Sequence, residues 1–182
     1  MFASPFTNIT KNVEKKLTYT LFYLLLISIT VMRYFDRFLI NETAEFGIVS
    51  FELSNTLERA QEILDSWSTL SRTYAGLSLG YDFLFLFIYT LFIAVLIHKL
   101  NQRLWLGKTF YKLGEILIWS MFLTAIFDVI ENVSLIKLLV GGRQQFWVSI
   151  AYYFAVVKFV LIVISILYII SNFFVLLFKK RS

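Results

Sequence analysis

The chain has no cysteine, one proline and one histidine in 182 residues. Without cysteine there are no disulfides, thiolate nucleophiles, cysteine-held zinc sites or iron–sulfur clusters, and the redox compartment leaves no trace in the sequence. A single His98 excludes any site that needs two imidazoles, haem with two axial histidines included. One proline and seven glycines argue against disorder. They also leave the apolar segments without the broken helices typical of secondary transporters. No Walker loop, nucleophile elbow or zinc motif is present.

What is there is apolar. Hydrophobic residues make up 59% of the chain and the mean hydropathy is +0.75, above the roughly 45–50% of soluble domains. Twenty Phe, ten Tyr and four Trp suit lipid contact and interfacial belts. Four hydrophobic runs, at about 17–35, 79–98, 113–136 and 146–178, each reach the roughly 20 residues of a membrane crossing. The expected fold is an all-α integral membrane protein. It is a four-transmembrane-helix bundle forming one domain over 1–182, with an amphipathic helix in the extracytoplasmic loop between the first two spans.

Residues 1–16 read as a polar leader rather than a cleavable signal, because the apolar run after them is too long. The 36–78 connection is acidic. Within it, Asn55 and Glu58 have capping-box spacing, and Leu57, Ala60, Leu64 and Trp67 recur on one face, which predicts an amphipathic helix over 55–68. Capping the bundle is the favoured reading of that helix, a lid the alternative. Gly141-Gly142 signals a tight turn. The leader, the 99–112 turn and the 179–181 tail hold ten Lys and Arg, against six on the other side. By the positive-inside rule both termini are then cytoplasmic. The bacterial inner membrane is the favoured location, with the endoplasmic reticulum as alternative. This topology explains the net charge of +5 without nucleic acid. His98, beside Lys99 at the cytoplasmic boundary, reads as an ordinary interfacial histidine.

The polar stretch 120–132 stands out inside the third run. Asp128, Glu131 and Asn132 are spaced i, i+3, i+4 and share a helix face, which Thr124 and Ser120 extend. Counting along the spans puts Asp128 roughly 13 Å, and Lys158 in the fourth run roughly 18 Å, from the outer end. Asp82 and Arg33 are expected at a similar outer level, so five ionisable groups converge: Arg33, Asp82, Asp128, Glu131 and Lys158. Charge at this depth is costly and marks function by default, while mutual pairing supplies a structural reading.

Asp128, Glu131 and Lys158 are the candidate catalytic groups, because close carboxylates and a desolvated lysine are tuned for proton transfer. Arg33, Glu52, Asp82, Asn132 and Tyr152 are candidate binding residues, with Glu52 reaching in from above. No cofactor is expected. A hard cation, Mg²⁺ or Ca²⁺, held by Glu52, Asp82, Asp128 and Glu131 is a weaker alternative, since these acids lack fixed spacing. The leading functional expectation is a pocket in the outer half that binds or acts on a lipidic or amphipathic small molecule. Whether it is an enzyme is left open. The alternatives are an accessory or assembly subunit with a structural charge network, and a small oligomeric proton-coupled transporter. The expected partners are the bilayer, such a ligand, and a second copy or another membrane protein.

Overall fold

The structure is a computed structural model and describes residues 3–179. It is all-helical, and no strand occurs among the described residues. Four helices are long and apolar enough to cross a membrane: α1 (Lys11–Asp36), α4 (Thr69–Leu104), α5 (Tyr111–Leu139) and α6 (Gln145–Lys179). Two short helices, α2 (Ile48–Glu52) and α3 (Leu57–Ser66), fill the connection between α1 and α4. The tail residues Lys180 and Arg181, counted above for orientation, lie outside the described residues.

The long helices overrun their apolar runs because their polar ends carry good start signals. The Thr10 hydroxyl accepts from the Val13 N–H at the head of α1. Ser68 does the same for Ser71 at the head of α4. These caps satisfy amides that have no partner within the helix. With 36 residues, α4 is roughly 54 Å long and exceeds the roughly 30 Å hydrocarbon layer.

α4 is the interior helix: 56% of its apolar window is buried, against 11% for α1 and 17% for α6. It packs against α1, α5 and α6, and α5 also packs on α6. α1 and α6 both lean on α4 and barely touch each other. Their outward faces, with Phe22, Leu26, Val160 and Leu167 exposed, are what a lipid-facing helix presents.

α3 seals one end of the bundle, called here the capped end. Its Ala60 and Ile63 are fully buried with Phe51, Trp67, Leu135, Leu138, Val148 and Ala151. The Trp67 indole N–H donates to the Leu39 carbonyl at 2.9 Å, pinning the far end of the loop. The expected capping box does not form. Thr56 caps α3 by accepting from the Arg59 N–H at 3.1 Å, and the Asn55 carbonyl instead accepts from the Gln145 side chain. Ile63, absent from the expected face, is fully buried, while Leu57 and Leu64 are partly buried against the same core. α2 has no counterpart in the sequence reading.

The opposite end also departs from expectation at His98. It is 3% exposed, and its ring lies 5.7 Å from that of Phe6, which folds back onto the bundle. It is thus packed within the protein rather than exposed at the surface. Next to it, Asn101 donates to the Tyr111 carbonyl and accepts from the Tyr168 hydroxyl, tying α4 to α5 and α6.

Candidate functional site

Toward the capped end, α5 turns Asp128, Glu131 and Asn132 into the bundle, with exposures of 1%, 0% and 0%. Lys158 of α6 meets them. Its Nζ lies 3.0 Å from Asp128 Oδ1 and 2.7 Å from Glu131 Oε2. The contact to Asp128 is a well-directed hydrogen bond. The approach to Glu131 is close but off the hydrogen-bond direction, and neither Glu131 oxygen has an aligned donor. That contact is therefore mainly coulombic.

α4 adds two groups from one face, two turns apart. Asp82 Oδ2 accepts from the Asn132 amide at 2.6 Å. The Tyr89 hydroxyl donates to Asp128 Oδ2 at 2.7 Å. Both Asp128 oxygens are thus occupied, one by an ammonium and one by a phenol. Tyr89 escaped the sequence reading. Its only signal was its place seven residues after Asp82, which helical periodicity puts on the same face.

Glu52 enters from α2 at the capped end, with Oε2 3.8 Å from Lys158 Nζ. Burial pushes its carboxyl above the ordinary glutamate range; Lys158 opposes that shift and Asp128 adds to it. α2 is placed by Asp36, at the end of α1. Asp36 Oδ1 accepts from the Ile48 N–H at 2.8 Å, at the start of the helix. Gly47 makes this approach feasible: its φ is +56°, and a Cβ there would stand 2.0 Å from Asp36 Oδ1.

Two expected members do not join the cluster. The Arg33 side chain is 76% exposed and reaches only Asp36, at 3.8 Å. The phase of α1 against α4 turns it outward, to the rim. Tyr152 is half-buried, has its ring 5.4 Å from that of Tyr153, and lines no part of the cavity described below. Thr124 and Ser120 satisfy their hydroxyls on carbonyls of their own helix. The convergent set is therefore Glu52, Asp82, Tyr89, Asp128, Glu131, Asn132 and Lys158.

A cavity of about 420 Å³ opens beside this cluster, between α1 and α6 and over the face of α4. Its character changes along its length. Asp36, Glu52, Asp82, Asp128 and Lys158 line the capped end, with Arg33 at the rim. Met32, Ile48 and Val49 of α1 and α2 also line it, and Phe85, Tyr89, Ile93, Phe159, Ile162 and Ile166 carry it along α4 and α6. Such a cavity is within the size range of small-molecule sites, and its polar groups gather at one end. Among the described residues no group of three or more His, Asp or Glu has metal-holding geometry. The Lys158 ammonium itself occupies the point on which Asp128, Glu131 and Glu52 converge.

These features define a polytopic helical membrane protein with buried charged residues. Compared with protein-family models, curated proteins and solved structures, the chain matches none.

Proposed function

We propose that this membrane protein binds an amphipathic small molecule in the cavity between α1 and α6. The head group lies at the acid–lysine cluster and the apolar part runs along Phe85, Ile93, Ile162 and Ile166. The observation that carries this reading is the cavity's lining, polar at one end and apolar for the remainder. The weak packing of α1 against α6 supplies a sideways route from the bilayer. Lys11, Lys15, Lys99 and Arg103 share a groove at the opposite end. By the positive-inside rule that end is cytoplasmic and the cavity lies in the outer half of the membrane.

Binding fits the cluster better than catalysis. An ammonium held by two buried carboxylates has no free lone pair for nucleophilic or base chemistry. Lys158 therefore organises the site, holding Asp128 and Glu131 in place, and leaves Asp82 and Glu52 facing the cavity. The competing reading, a purely structural network in an accessory subunit, is favoured by the way Lys158 ties α5, α6 and α2 together. It gives no role to the cavity.

Extraction of the purified protein with organic solvent tests the choice. An amphiphile released in about one-to-one amount from the natural protein, and strongly reduced in folded Ile162→Trp, supports binding. Equal release from both proteins overturns it.

A further inference from the structure

The polar end of the cavity is unevenly charged. Three acids, Glu52, Asp128 and Glu131, surround the single ammonium of Lys158, and Asp82 stands beside them across Asn132. That ammonium is already committed to Asp128 and Glu131, and Asp128 also accepts from Tyr89. Asp82 is different. It lines the cavity, is 7% exposed, and accepts one amide N–H from Asn132. Among the described residues no lysine or arginine stands within ion-pair distance of it.

A second observation comes from Asn132. It is fully buried between Asp82 and Asp128, donates to both, and its Oδ1 has no donor. A buried acceptor without a donor is costly and calls for a partner. Acids outnumber bases here, and Asp82 is the cavity-facing acid with no basic partner.

We propose that the head group this cavity selects is a cation, an amine or quaternary ammonium carried on an apolar chain, and that Asp82 receives it. The inference rests on the amphiphile-binding reading above and names its ligand class. A cationic head group gives Asp82 the ion-pair partner that no lysine or arginine among the described residues supplies. The rings of Phe85 and Tyr89, 5.4 Å apart on the same face of α4, add faces that attract a cation. An anionic head would meet Asp82, Glu52 and Asp128, while Arg33, the cation at the rim, already stands 3.8 Å from Asp36. Asp82 and Ile93 stand eleven residues apart on α4, so the apolar lining extends roughly 16 Å from the head group.

The test uses the full chain in nonionic digitonin micelles, titrated with three probes that share a twelve-carbon chain: dodecyltrimethylammonium, dodecyl sulfate and dodecanol. The ammonium should bind at least about tenfold tighter than the other two, a preference expected of one well-placed opposite charge. Asp82→Asn should abolish that preference and Asp82→Glu should retain it. Saturable binding with the sulfate or the alcohol equal or superior overturns the cationic head group and leaves the cavity reading standing. No saturable binding of any probe overturns both. Should Asp82→Asn fail to fold, the ranking of probes on the natural protein still decides the charge of the head group. A folded Asp82→Asn that keeps its preference removes Asp82 from the role.

Discussion

The Lys158 ammonium lies 3.0 Å from Asp128 Oδ1, an ion pair inside the bundle with side-chain exposures of 6% and 2%. It joins α6 to α5 where apolar packing alone would give no fixed register. The desolvation cost of such a pair is offset only if every partner stays in place.

Lys158→Met should therefore be strongly destabilising, by about 3–5 kcal/mol, because Asp128 and Glu131 are left without their cation. Adding Asp128→Asn and Glu131→Gln to the same chain should recover much of the loss. Thermal unfolding in detergent reads both effects. Additive losses across the three substitutions would show that the groups are not one network.

Tyr89→Phe removes a single hydroxyl and leaves Asp128 Oδ2 without its donor. The expected cost is about 1–3 kcal/mol, the range for a buried group that loses its partner. Chemical denaturation of the variant measures it. A neutral result would mean that water reaches Asp128 from the cavity.

The helical face of Asp128, Glu131 and Asn132, the place of Lys158 inside the fourth helix and the approach of Glu52 were all legible in the sequence. The first follows from periodicity, the second from its place far from both ends of an apolar run, and the third from the position of Glu52 just before the amphipathic stretch. Tyr89 was not legible, since one tyrosine among neighbouring Phe and Tyr on α4 looks like any packing aromatic. Arg33 was expected in the cluster but stands exposed at its rim, against Asp36. The rotation of α1 about its axis is set by its contact with α4 and leaves no local signature. α2 depends on a contact between Asp36 and Gly47, a tertiary fact that no turn signal encodes. His98 is buried because Phe6 folds back over it, from a segment that reads only as a polar leader.

Gly47→Ala should dislodge α2. The added Cβ collides with Asp36 Oδ1 at a positive φ, and a side chain in such a backbone region costs of the order of 1–3 kcal/mol before the clash. Hydrogen exchange at the Ile48 amide, which Asp36 accepts, should quicken in the variant. Unchanged exchange would contradict this account of how Glu52 is held.

The buried Glu52 carboxyl, raised above its ordinary 4.5, links stability to pH. Folded protein keeps this proton where the unfolded chain has lost it. The stabilisation is complete below the unfolded value and is lost as pH rises through the raised folded value. Melting temperature should fall as pH rises above 4.5, and Glu52→Gln, permanently neutral, should flatten that fall. Parallel profiles for the two proteins would remove Glu52 as the source.

The central claim is that the cavity holds an amphiphile with its chain along α4 and α6. Photolabelling with a twelve-carbon alkylamine bearing a diazirine near the chain end, followed by peptide sequencing, tests it most directly. The account predicts label concentrated at Ile93, Ile162 and Ile166, competed by unlabelled amine and lost in Ile162→Trp. Label spread evenly over the exposed faces of α1 and α6, with no competition, would contradict it.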